Sequence, residues 1–327
     1  MALEFNTDFD PRYGEMVQVS PLLRRMVCKN PSPFTFYGTG TYVIGHGEVA
    51  VVDPGPRDLE HIDALVRALD SETVSAILVT HTHGDHSPAA AALSDAFAAP
   101  VLGFGPHPRN AISEEEDAGA NNKASDDADS EAGAKKAGAK EAVAHGPDID
   151  FNPDQRLKHG DMVTGPGWTV QALHTPGHIS NHLCFALAEE NAVLTGDHVM
   201  GWSTTIIPPP DGDAGDYLRS LQLLLDRRDE WLYPTHGAPI NNPRPYVSAL
   251  LDHRLKRETQ ILEQLHLGPA SANQIVEVLY ANVRVELHPL AARSVVAHLI
   301  KLNNEHRTIR VDSAASITSS DTVWVFN

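Results

Sequence analysis

A short apolar run, Val74-Ser-Ala-Ile-Leu-Val-Thr80, stops directly at His81-Thr-His-Gly-Asp-His86. The run reads as a buried strand, and the three imidazoles and one carboxylate behind it as a polar loop. Upstream, Phe34 to Ile44 and Glu48 to Val52 read as two strands with Gly45-His46-Gly47 as the turn and Asp53-Pro54-Gly55 as the stop, which predicts a hairpin. Between the hairpin and residue 74, Leu59, Ile62, Leu65, Val66 and Leu69 recur at helical spacing. The order strand, helix, strand places the histidines at the carboxyl end of a buried strand, where α/β folds gather their chemistry.

The same arrangement returns downstream. Trp168 to His174, His182 to Leu187 and Ala192 to Thr195 are β-like runs parted by Gly-rich turns, and an amphipathic helix from Asp216 leads to a short strand and the loop Pro234-Thr-His-Gly237. Two halves of similar β-then-α character each deliver histidines at strand ends. Between them, residues from about 113 to 144 contain no aromatic side chain and are mostly Ala, Gly, Lys, Asp and Glu. Such a segment buries too little apolar surface to offset its ordering entropy, so a disordered acidic insertion is expected there. From Pro245 the chain turns helical: a long helix to Gly268, a second capped by Ser271, a third from His288, then strands at Thr308 to Asp312 and Thr322 to Asn327. That order predicts a winged-helix module, dividing the chain at 1–245 and 246–327.

Charge and cysteine usage narrow the function. The net charge of −18 disfavours nucleic acid and anionic lipid, which bind through Lys and Arg. From residue 252 onward eight acidic and eight basic residues balance, so the excess lies upstream. Two divalent metals would offset about four of those charges. The only cysteines, Cys28 and Cys184, are far apart and read as reduced thiols. No run of 18 apolar residues spans a membrane and the amino terminus lacks the basic and apolar regions of a secretory signal, so the cytoplasm is the default compartment.

His81, His83, Asp85 and His86 are four potential ligands within six residues, and a metal role outweighs a merely His-rich turn. A pair of catalytic zincs sharing a carboxylate needs about seven protein ligands. Three more stand at strand ends: His178 in Thr175-Pro-Gly-His178, Asp197 in Thr195-Gly-Asp-His198, and His236 in Pro234-Thr-His-Gly237.

These motifs, in this order, resemble the metallo-β-lactamase superfamily, over roughly residues 15 to 245. The resemblance implies an αββα sandwich with a dinuclear site at one edge. It makes His81, His83 and His178 the ligands of one metal, Asp85, His86 and His236 those of the other, and Asp197 the bridge. Asp53 would support the histidine loop from behind, and Asp85 would be both ligand and proton acceptor. Two zinc ions are expected, with iron or manganese equally suited to imidazole and carboxylate. A metal-bridging hydroxide would then be the nucleophile of a hydrolase.

Of the remaining histidines, His182 and His198 are expected to hydrogen-bond to the ligands. His46, His61, His107, His145 and His159 are expected at the surface, and His253, His266, His288, His298 and His306 on helix surfaces or caps. The antibiotic-hydrolysing members carry Cys at the place of Asp197 or lack a bridging Asp, which argues against that role. Only 38 residues separate Asp197 from His236, too few for the cap of the family's large nucleases. The sequence is similar to the lactamase-β-like protein 2 group, which includes a single-strand endoribonuclease, and by its ligands to the hydroxyacylglutathione hydrolases. The loop after Asp197 is expected to meet substrate, with Trp202 and Pro208 to Pro210 as an apolar wall and Ser203, Thr204 and Thr205 as hydroxyl donors; packing against the winged helix is an equal alternative. Two functions stand: hydrolysis of a small acyl compound (thioester, lactone or amide), and cleavage of single-stranded RNA, with Arg254, Lys256 and Arg257 as the basic cluster. The small-molecule reading leads; a homodimer is compatible with either.

Overall fold

Strand patterning decides the layers. In Glu48–Val52, Ala50 and Val52 face one side and Val49 and Val51 the other, and all four are buried, so the sheet that holds them is covered on both faces. The structure is a computed structural model, and it describes residues 3–108 and 146–327. Seven strands form the first sheet in sequential order: β1 (Val17–Gln18), β2 (Leu23–Val27), β3 (Gly40–His46), β4 (Glu48–Val52), β5 (Thr73–Leu78), β6 (Val101–Gly103) and β7 (Gln155–Arg156). β3 and β4 are the antiparallel hairpin, and β4, β5, β6 and β7 run parallel, with crossovers through α1 (Leu59–Ala68) and α2 (Ala90–Phe97).

The second sheet holds β8 (Met162–Gly165), β9 (Trp168–His174), β10 (Leu183–Leu187), β11 (Ala192–Gly196), β12 (Trp231–Pro234) and β13 (Ile240–Asn241). α3 (Ala214–Asp226) makes its parallel β11-to-β12 crossover. Tyr42, Ile44, Leu78, Val170, Phe185 and Leu194 fill the space between the two sheets. Leu65, Ile77 and Leu93 seal the first sheet to α1 and α2, while Cys184, Val193, Leu221 and Leu232 seal the second to α3. This is an αββα sandwich.

The first hairpin strand starts at Gly40 rather than near Phe34. Phe36 and Gly38 have φ of 59° and 130°, and a Cβ on Gly38 would stand 2.1 Å from the Cys28 carbonyl oxygen, so the chain turns here where apolar composition alone suggested extension. The acidic insertion expected at about 113–144 and His145 lie outside the described residues.

α4 (Pro243–Leu267) begins behind the second sheet and ends in the C-terminal unit. Val247 and Leu250 pack with α3; Ile261, Leu262 and Leu265 pack with α5 (Ala272–Leu279) and α6 (His288–Asn304). Ser271 and Gln274 form a capping box at the start of α5. β14 (Ala270–Ser271), β16 (Val323–Phe326) and β15 (Thr308–Arg310) close this unit as a three-stranded sheet, a winged-helix arrangement.

Three histidines expected outside are inside. His61 is buried against Thr41, His107 against Thr82, and His298 lies in the core of the C-terminal unit. Helical periodicity does not say which face a second element covers, and α6 is covered on more than one side. Among the described residues neither ring nitrogen of His298 has a hydrogen-bond partner. Burial, then Arg254, Lys301 and Arg257, push its pKa down to about 3; Glu258 stands 3.9 Å away but is engaged by Lys301 at 2.8 Å and Arg307 at 3.0 Å. A histidine neutral in the fold and titrating normally when unfolded costs stability as pH falls below about 6.5. His298→Leu should therefore flatten the fall of the urea midpoint between about pH 6.5 and pH 4, removing up to one proton's slope, tenfold in folding constant per pH unit. An unchanged slope would mean that His298 is already charged in the fold.

Candidate metal centre

Four of the histidines singled out in the sequence, His81, His86, His178 and His236, are each held by a second contact that fixes which nitrogen faces inward. Asp53 closes β4 in a left-handed conformation, φ 50°, which Asp tolerates. Its Oδ1 accepts from the Thr80 amide at 2.8 Å, and its Oδ2 accepts from the Thr80 hydroxyl at 2.7 Å, the Thr235 hydroxyl at 3.1 Å and His86 Nδ1 at 2.9 Å. With the Thr80 proton committed to Asp53, His81 Nδ1 donates to the Thr80 oxygen at 3.0 Å. His178 Nδ1 donates to the Ile206 carbonyl at 2.6 Å, and His236 Nδ1 to the Gly38 carbonyl at 3.0 Å. The Nε2 atoms of His81, His86, His178 and His236 are thereby turned inward, where a metal ion could take their lone pairs.

These atoms gather in two groups. His81, His83, His178 and Asp197 offer ligand atoms within 4.8 Å of one another, and so do Asp85, His86 and His236. Asp197 faces both: its Oδ2 lies 3.7 Å from His178 Nε2, and its Oδ1 lies 3.3 Å from His236 Nε2 and 3.6 Å from His86 Nε2. Asp85 Oδ2 stands 3.2 Å from His236 Nε2 and 3.3 Å from His86 Nε2, and accepts from the Thr39 hydroxyl at 3.3 Å.

The donor set suits divalent cations. His83 Nδ1 is 2.9 Å from both His81 Nε2 and His178 Nε2, so two lone pairs face a nitrogen that can donate to only one of them. His86 Nε2, His236 Nε2 and Asp197 Oδ1 are buried, with no aligned hydrogen bond among the described residues. A cation in each group would satisfy all of them.

Electrostatics follow the same division. Burial and mutual repulsion hold His81 and His83 well below the usual imidazole pKa, and burial lowers His178 despite Asp197. Burial also opposes charge on His86 and His236, but the carboxylates prevail: Asp85, Asp197 and Asp53 raise His86 well above its usual value, and Asp197 with Asp85 brings His236 up to about 10. In turn His236 and His86 hold the buried carboxyl of Asp197 well below its usual range.

His182 stands behind Asp197: Nδ1 meets Thr175 Oγ1 at 2.9 Å, and Nε2 accepts from the Asp197 amide at 3.2 Å. His198 does not hydrogen-bond to the ligands as expected. It is fully buried with both ring nitrogens unpartnered among the described residues, packs edge-on against Tyr217, and has its pKa pushed down to about 3 by burial. The loop after Asp197 also divides. Trp202, Ser203 and Thr204 are partly exposed, whereas Thr205 is 1% exposed and donates its hydroxyl to the Asp197 carbonyl at 2.7 Å, so it supports the centre instead of lining an open face. Phe36 stacks on Trp202, 4.7 Å between centroids and 8° between planes.

Sequence reasoning missed Thr80, Thr82 and Thr235, each immediately before a histidine. Thr82 Oγ1 accepts from Asn181 at 2.9 Å and meets His107. The repeated Thr-His dipeptide was the available signal.

Two substitutions probe this framework. Asp53→Asn leaves His86 with a poorer acceptor and should weaken metal binding about 10- to 100-fold, read by zinc titration against a chromophoric chelator. Gly177 precedes His178 at φ 137°, and a Cβ there would stand 2.4 Å from the Tyr217 Cα. Gly177→Ala should cost about 1–3 kcal/mol in denaturant unfolding; a wild-type midpoint would show that the α3 terminus yields freely.

The comparisons agree with this geometry. The model of the metallo-beta-lactamase superfamily matches residues 35–236, and that of the beta-lactamase associated winged helix domain matches residues 271–316. A lactamase-like protein of Pestalotiopsis microspora is 28% identical over 298 residues, covering 89% of this chain and 79% of its own. An atrochrysone carboxyl ACP thioesterase of Claviceps purpurea is 30% identical over 263 residues, covering 80% of this chain and 70% of its own. The crystal structure of a beta-lactamase domain protein from Burkholderia ambifaria shares the fold at TM-score 0.72 and 20% identity, over 98% of this chain and 96% of that one. A metallo-beta-lactamase family protein from Thermus thermophilus does so at TM-score 0.68 and 24% identity, over 95% of this chain and 100% of that one. The chain thus belongs to the metallo-beta-lactamase superfamily, as a metal-dependent hydrolase whose catalytic fold is followed by a beta-lactamase-associated winged helix domain.

Proposed function

We propose that this chain hydrolyses small acyl substrates, thioesters foremost, with a pair of divalent metal ions, and that the ions are zinc. One observation carries the reading: Asp197 turns Oδ2 toward His178 and Oδ1 toward His86 and His236, so two donor groups stand one carboxylate apart. His81, His83 and His178 would hold one ion, Asp85, His86 and His236 the other, and Asp197 both. Bound there, the ions would supply Lewis acidity, making water a nucleophile at neutral pH and polarising the acyl carbonyl.

The side chains perform the rest. Asp85, held by the Thr39 hydroxyl, is placed to take a proton from the attacking water and return it to the leaving thiolate. A Cβ on Gly237, next to His236, would meet Trp202 at 3.2 Å and Phe36 at 3.8 Å, so the stacked rings form an apolar wall beside the centre. Ser203 and Thr204 add hydroxyls on the same loop. A thioester, rather than a lactone or amide, is supported by the thioesterase name of the Claviceps purpurea relative. Residues 1–245 carry the chemistry, and 246–327 back the loop that borders it.

The basic cluster on α4 does not support RNA as substrate. Arg254 is buried, Arg257 lies over the Tyr280 ring at 4.2 Å, and Lys256 alone of the three is exposed. A panel of acyl thioesters including hydroxyacylglutathione, with lactones, β-lactams and single-stranded RNA, tests the reading. Thioester turnover should vanish on chelation, return with zinc, and fall about 10²- to 10⁴-fold in kcat/KM in Asp85→Ala. RNA cleavage lost in Asp85→Ala, without thioester turnover, would replace the acyl reading.

A further inference from the structure

We infer that Arg254, on the helix that leads into the winged-helix domain, is a positioning residue for the metal group His81, His83, His178 and Asp197. The inference deepens the metal-hydrolase reading and rests on it. Arg254 is 4% exposed, and among the described residues no carboxylate pairs with it. A buried guanidinium without a counter-ion is costly unless its donors are engaged. Arg254 donates from Nη2 to the Thr205 carbonyl, and its Cζ lies 5.2 Å from the Tyr217 ring centroid.

Two adjacent residues then carry the contact into the centre. The Thr205 hydroxyl donates to the main-chain carbonyls of Asp197 at 2.7 Å and His198 at 3.1 Å. The next carbonyl, of Ile206, accepts His178 Nδ1 at 2.6 Å and so aims His178 Nε2 at the group. Tyr217, under the guanidinium, donates to the His198 carbonyl at 3.0 Å. The two members of the group that come from the second sheet, His178 and Asp197, therefore both depend on the 205–206 dipeptide, and Arg254 fixes that dipeptide from the far side. The second group shares this support only through Asp197: His86 rests on Asp53, and His236 on the Gly38 carbonyl.

The asymmetry is the test. The metal-stripped full chain is titrated with zinc against a chromophoric chelator, and His178→Ala marks which step belongs to the first group. In Arg254→Met that step should weaken about 10- to 100-fold, the loss typical when a partner behind a ligand is removed, while the other step, which shares only Asp197 with it, weakens less. Arg254→Lys, which keeps a cationic donor, should recover part of the loss. Thr205→Val, nearly the same shape without the hydroxyl, should weaken the same step and keeps the inference testable where Arg254→Met fails to fold. Two wild-type zinc steps in both Arg254→Met and Thr205→Val, with only a lowered thermal midpoint, would make Arg254 a packing residue and leave the hydrolase reading standing. A wild-type chain that binds no zinc would remove that reading and this inference together.

Discussion

The carboxylate of Asp53 joins what would otherwise be two separate sheets at their functional edge. Thr80 follows β5 of the first sheet and Thr235 follows β12 of the second, and both hydroxyls end on Asp53 Oδ2, together with His86 Nδ1. A buried anion with four donors is strongly bound only when all four keep their geometry, because each donor lost leaves charge without compensation in a medium of low dielectric. The two halves of the sandwich are thereby locked in register where the candidate ligands of both come together. Core packing of Leu, Val and Phe between the sheets cannot do this alone, since apolar contacts are non-directional.

What the sequence made legible was whatever local composition decides. The β3–β4 hairpin, α1, the strand before His81, and the cap of α5 by Ser271 each depend on a few consecutive residues, and periodicity with turn chemistry reveals them. The seven clustered metal-ligand candidates were legible for the same reason: donors at strand ends stand out from apolar neighbours. The contacts that orient them were harder to read. Thr235 and Asp53 are 182 residues apart, and Gly38, whose carbonyl holds His236, is an ordinary turn glycine in sequence. His61, His107 and His298 were misplaced on the same ground, because burial of a polar residue depends on which distant element covers it.

The appended domain changes meaning once its helix is traced. Arg254, Lys256 and Arg257 look like a basic patch in sequence, being three cations in four residues. On a helix, however, successive residues point about 100° apart, so a cluster in sequence scatters around the axis. Arg254 is turned toward the loop after Asp197, Arg257 onto Tyr280, and Lys256 outward. Charge that suggested a polyanion partner is instead used inside the molecule, in the packing between the two units.

The charge state of the centre follows from the same scarcity of partners. Asp53 and Asp197 are buried, and among the described residues no Lys or Arg pairs with either; their positive neighbours are imidazoles. Burying carboxylates without permanent cations is tolerable only if something that can carry charge stands beside them. In the metal-free chain that role falls to protons on His86 and His236, which the carboxylates raise in spite of burial. A metal ion must displace those protons to reach the nitrogens, so ion and proton compete for one place that the fold has made electronegative. Arg254, a permanent cation at the border of this region, is held on the Thr205 carbonyl instead of on the ligands, where it braces the loop without claiming the carboxylates.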